Sequence, residues 1–117
     1  MNLVANIIIS LVALLHISFL VLEMFLWDHP FGRKIFRMTP EYAKASASLA
    51  ANQGLYNGFL ATGLIWGLVT GDFAINVFFL SCVIVAGIYG GFTAKRSILY
   101  LQALPGLLGL ILLYLSK

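Results

Sequence analysis

Glu23 and His16 stand seven residues apart in a stretch made almost wholly of apolar residues. Seven residues is close to two turns of an α-helix, so both side chains fall on one stripe, with Trp27 continuing it. A carboxylate and an imidazole so placed suit proton transfer. Glu23 would move a proton while His16, or Tyr56 from another segment, supplies the complementary group, provided both reach one substrate atom. Glu23 and His16 are therefore the candidate catalytic residues. A second constellation, "NQGLYNG", brings Asn52, Gln53, Tyr56 and Asn57 close together. On a helix they lie at about 0°, 100°, 40° and 140°, which is one sector, with Gly54 and Gly58 on the other side. Buried in hydrocarbon, such side chains need one another, water or a ligand as partners. With Gln102 and Tyr89 from later segments, they are the candidate ligand-binding residues.

The elements that must position these groups follow from composition. The chain has 117 residues, 62% hydrophobic and only 9% charged, which is not the balance of a water-soluble domain. Four apolar runs, near 3–27, 45–70, 73–93 and 97–116, each match the roughly 20 residues that cross a bilayer as a helix. The expectation is an all-α membrane protein, a single domain over 1–117 forming a four-transmembrane-helix up-down bundle. The turns at 70–72 and 93–96 are short enough to force antiparallel neighbours. The first run has no basic lead and outlasts a signal-peptide core, so it reads as a retained helix. Glycine pairs at four-residue spacing, such as Gly54 and Gly58 or Gly87 and Gly91, suit close packing of membrane helices within the chain first and a homo-oligomer seam second.

Charge supplies the orientation. The net charge of +3 is distributed by topology, not as a nucleic-acid surface: Arg33, Lys34, Arg37, Lys44, Lys95 and Arg96, six of the seven basic residues, fall in the two connections on one side. The positive-inside rule puts the basic loop 28–44 and the turn at 94–96 in the cytoplasm, with both termini outside the cell membrane. Within 28–44, Phe31, Ile35 and Met38 keep a helical spacing suited to a short helix in the headgroup layer, in contact with membrane lipids. Thr39 and Pro40 read as N-cap and first residue of the next helix. Trp27 and Trp66 fall where aromatic rings favour the membrane–water boundary.

Depth along the helices, at about 1.5 Å per residue, puts Glu23 about 6 Å and His16 about 17 Å from the cytoplasmic end of the first span, Asn52 roughly 12 Å and Asn57 roughly 20 Å along the second. The expected result is a polar cleft open to the cytoplasm, with the amides and Tyr56 as one wall and Glu23 and His16 opposite. Pro105, Gly106 and Gly109 are expected to kink the last span and leave space near Gln102. The plainer alternatives are that Glu23 pairs with Arg33 or Lys95 at the boundary, and that His16 is a satisfied packing residue. His29 reads as an interfacial loop residue and Cys82 as packing. Two histidines, one cysteine and scattered carboxylates give no metal-ligand spacing, and no nucleophile elbow, phosphate loop or dinucleotide fingerprint implies a cofactor.

Taken together, His16 and Glu23, "WDHPFGRKIF", "NQGLYNGFLATGL" and "LQALPGLLGL" resemble the small bacterial membrane proteins grouped as domain of unknown function 1304. The resemblance covers essentially the whole chain and implies a four-helix membrane protein without an assigned activity. In size the chain is also similar to the small multidrug resistance transporters, whose first helix carries a membrane-embedded glutamate. Theirs works near the middle of a dimer, whereas Glu23 is shallow and the charge bias here fixes one orientation. Its broad architecture looks like that of the quinone-associated and DoxX-like small membrane proteins. The leading functional expectation is a cytoplasm-facing pocket for a small amphipathic or lipid-like molecule, with acid/base chemistry of the isomerase type as an extension. The competing expectations are a proton-coupled transporter acting as a homodimer and a structural or accessory subunit. Whether the protein is an enzyme stays open at this stage.

Overall fold

The computed structural model describes residues 2–117, and every regular element among them is helical. The order is α1 (Leu3–Met24), α2 (Pro30–Phe36), α3 (Pro40–Thr70), α4 (Phe73–Thr93), a π-helical turn (Leu99–Ala103) and α5 (Leu104–Leu115). Local chemistry sets most of the boundaries. The Asn2 side chain accepts the Ala5 N–H at 2.8 Å and opens α1. The helix stops at Met24, earlier than the apolar run, as the Leu26 N–H reaches five residues back to the Val21 carbonyl. His29 then caps α2 by accepting the Phe31 N–H, with Pro30 in the first turn where a missing N–H costs nothing. Arg37, in the left-handed region at φ 53°, closes α2. A short helix is thus present around Phe31 and Ile35, ending before Met38.

Thr39 accepts the Tyr42 N–H at 3.1 Å, and Pro40 opens α3, so the expected cap is found and the helix starts five residues before the apolar run. Gly71, at φ +65°, turns the chain between α3 and α4, a conformation that a side chain disfavours. Asp72 then caps α4 through the Ile75 N–H. The expected kink near Pro105 takes the form of the π-helical turn, in which the Leu104 N–H reaches the Leu99 carbonyl five residues back. Proline cannot donate and its ring crowds the preceding turn, which the wider π geometry relieves. The glycines beyond it do not leave space, because Val83 packs onto Gly106 and Leu80 onto Gly109.

Two compact units make up the chain. One comprises the residues up to Leu14 with Leu60–Lys117. Its core is Ile9, Val12, Ala13, Leu64, Leu80, Val83 and Leu113. Phe73 and Tyr114 meet edge to face at 5.1 Å, and the Lys117 ammonium sits over the Phe73 ring. The other unit, Leu15–Phe59, holds the last turns of α1, all of α2 and α3 as far as Phe59.

By length and composition, α1 and α4 are the described helices apolar enough to cross a membrane. Helix α3 is longer, at 31 residues, but Glu41, Lys44, Asn52 and Gln53 make its first half more polar. Leu99–Leu115 is apolar but shorter.

Candidate functional site

The unit Leu15–Phe59 is built on two inward stripes. On α3, Ala43, Ala47, Ala50, Gly54 and Asn57 follow steps of four and three residues, and all are buried or half-buried. On α1, His16, Phe19 and Glu23 keep the same steps and the same tendency. Such a 3.5-residue repeat keeps one seam facing a partner helix. The α3 seam is made of small residues, so the two backbones come close. A Cβ on Gly54 would lie 2.7 Å from Met24 Cγ and 3.0 Å from Glu23 Cβ.

Because Gly54 faces α1, the rotation of α3 follows, and Asn57, one turn on, faces α1 as well. Its amide nitrogen donates to Glu23 Oε1 at 2.5 Å, with Asn57 only 7% exposed. An ionised carboxylate here gains a charge-assisted hydrogen bond, and the amide avoids an unpaired burial. The glycine face and the face bearing Asn57 are therefore one face, not opposite faces as the angular sector suggested. Asn52, Gln53 and Tyr56 point elsewhere and are exposed, Tyr56 meeting Phe59 edge to face at 5.7 Å.

His16 is fully buried and stands edge-on to Phe19 at 5.3 Å. Two helical turns separate it from Glu23, about 10 Å along the axis. Tyr89 and Gln102 belong to the other unit, Tyr89 exposed on α4 and Gln102 half-buried in the π-helical turn.

Arg33 does not pair with Glu23. It forms a salt bridge to Asp28 Oδ1 at 3.0 Å and also donates to the Asp28 carbonyl. Glu23 thus has an amide, not a cation, as its partner. Its side chain also lines a groove of about 340 Å³ with Met24, Phe25, Trp27, Asp28 and His29, closed on the α3 side by Ala47. Trp27 is held there by donating its indole N–H to Ser46 Oγ at 3.0 Å and by packing on Phe36 at 4.8 Å. The chain can fold so tightly here because Gly32 lies against the Leu26 carbonyl, where any side chain would collide.

His29 stands in the connection before α2 and is exposed, as expected of a loop residue, and it also lines the groove with Glu23. The available sequence signal for that place was the polar residue directly before Pro30, the signature of a helix start that fixes a side chain. Since His29 Nδ1 accepts the Phe31 N–H, a neutral ring carries its proton on Nε2. The groove thus combines two carboxylates, Glu23 and the Arg33-paired Asp28, with an imidazole and apolar walls. Among the described residues no group of three or more histidine, cysteine or acidic side chains is arranged to hold a metal ion.

A family model described as "Protein of unknown function (DUF1304)" matches residues 10–114, and the chain belongs to that family. It is also similar to a bacterial relative, "Uncharacterized protein YpaA" of Lactococcus lactis subsp. lactis (strain IL1403), with 29% identity over 113 residues, covering 92% of this chain and 95% of the relative. No solved structure matches.

Proposed function

We propose that this chain is an integral membrane protein that crosses the bilayer four times, with loops 28–44 and 94–96 cytoplasmic, and that the groove beside Glu23 binds a small amphipathic molecule. Supporting the membrane reading, large apolar side chains such as Phe25, Leu49, Val69 and Phe92 are exposed by 70% or more, a surface suited to lipid and not to water. At about 1.5 Å per residue, α1 and α4 each exceed the roughly 30 Å hydrocarbon thickness, and α3 exceeds it with turns to spare. The two basic connections supply the orientation.

The observation that carries the ligand reading is the Asn57–Glu23 hydrogen bond at the edge of the groove. It engages Oε1 and leaves Oε2 to accept from a ligand's polar head, while Met24, Phe25 and Trp27 offer an apolar wall to its tail. Acid/base chemistry at this position would pair Glu23 with His29 Nε2, since the other acidic group of the groove lining, Asp28, is engaged by Arg33. His16 then serves packing within α1's inward stripe.

Photolabelling with a diazirine-tailed long-chain alcohol, in protein held in lipid nanodiscs, tests the reading. Labels should concentrate at 23–29 and around Ala47, and Ala47→Phe, which fills the groove, should remove them. Labelling spread evenly over the apolar surface and unchanged by Ala47→Phe would overturn it. The topology is tested separately by a reporter fused after Lys117, expected to be active only outside the cytoplasm.

A further inference from the structure

The unit outside the Glu23 site carries a second groove, of about 260 Å³, between α4 and the C-terminal helix. Ile84 and Ile88 form one side; Leu99, Tyr100, Leu104 and Leu107 form the other, over Ala103. The backbones approach at its base because Gly87 sits on Ala103, where any side chain would collide. The residues lining it extend along both elements toward the turn at 94–98, in which the Ile98 N–H bonds the Lys95 carbonyl and the Leu99 N–H bonds the Arg96 carbonyl. Lys95 and Arg96 are both exposed. No acidic residue follows Asp72 in the sequence, and among the described residues neither Lys95 nor Arg96 forms an ion pair.

An apolar channel whose end is marked by two unpaired cations has the polarity of one lipid molecule. We infer that this groove is a binding site for an anionic phospholipid, its phosphate-bearing head between Lys95 and Arg96 and one acyl chain along Ile84, Ile88, Leu104 and Leu107. Charge complementarity selects the occupant: a zwitterionic lipid fills the same channel but gains less from the two cations. The π-helical turn contributes by placing Leu99 and Tyr100 at the head end of the channel, where Tyr100 is exposed and suited to the boundary layer. The site rests on the membrane reading but not on the Glu23 ligand.

The test uses the full chain extracted in detergent and titrated with dioleoylphosphatidylglycerol or dioleoylphosphatidylcholine, with native mass spectrometry counting bound lipids. One phosphatidylglycerol should be retained roughly 30-fold more tightly than phosphatidylcholine, the gain expected from two cations near a lipid head. Lys95→Gln with Arg96→Gln should erase that difference, and Leu104→Trp, filling the channel, should weaken both lipids. Equal retention of the two lipids, or a preference unchanged by the double substitution, would overturn the assignment. So would a dimer that Leu104→Trp separates without altering the lipid count, since a second copy would then occupy the groove. Failure of the membrane reading would show separately, as chain recovered in the aqueous fraction without detergent.

Discussion

The two units differ in how much of their packing rests on large apolar side chains. Between Leu15 and Phe59 the α3 seam is alanine and glycine, and its inward side chains include Asn57 facing Glu23. In the other unit leucine, isoleucine and valine, all at most 1% exposed, are packed around glycine contacts of their own, with Val83 on Gly106 and Leu80 on Gly109. Large apolar side chains fill their own volume, and their contacts are individually weak and collectively large. Small ones let backbones meet, so that the position of a single longer polar group is decided by the backbone and not by side-chain rearrangement. The first arrangement holds the geometry of Asn57 and Glu23; the second gains most of its packing from large side chains, although it too buries an amide, Asn76, against Gly67.

Substitutions can break or sharpen that contrast. The largest loss of stability should come from Leu80→Ala in the apolar unit, about 3 kcal/mol from lost contacts and an unfilled cavity, measured by reversible unfolding in mixed micelles. Photolabelling at 23–29 should persist in the folded fraction; its disappearance would mean that the two kinds of packing are not separable. Asn57→Leu should cost about 2 kcal/mol in the same assay, because Glu23 loses its donor where water is scarce. Gly54→Ala should cost about 1–2 kcal/mol, since the added methyl meets Met24 Cγ, Glu23 Cβ and the Leu20 carbonyl and the two backbones must move apart slightly. A cost above that of Leu80→Ala would show that backbone approach dominates the fold.

Glu23→Gln should leave stability nearly unchanged, as the side-chain carbonyl still accepts from Asn57, while reducing labelling at the groove. Full labelling with the Gln variant would separate ligand binding from the carboxylate. The smallest effect belongs to Gln53→Leu, within about 0.5 kcal/mol, because Gln53 is exposed and off the seam. A large loss there would mean that the exposed amides hold something together.

Much of the fold was legible in particular residues. Thr39 with Pro40 and the short turn at 70–72 gave helix boundaries, because caps and turns depend on a few adjacent groups. The short helix in 28–44 followed from the spacing of Phe31 and Ile35. Less legible was the end of α1, where the apolar run continues to Trp27 but the backbone turns at Phe25 so that Leu26 can meet Gly32. That contact joins residues whose meeting no local rule requires.

The sequence by itself determined the all-helical character, the charge asymmetry of the connections and the presence of Glu23 and Asn57 within apolar segments. Angular spacing along one helix is also a sequence property, but it fixes only how residues lie relative to one another, not which of them turn inward. Tertiary structure decided that Gly54 faces α1, and with it that Asn57 meets Glu23 while Asn52, Gln53 and Tyr56 remain exposed. It likewise decided that His29, not His16, lines the groove with Glu23. The physical reason is the same in both cases. Rotation of a helix about its axis is set by the closest approach that its partner permits, and that approach is a property of two surfaces together.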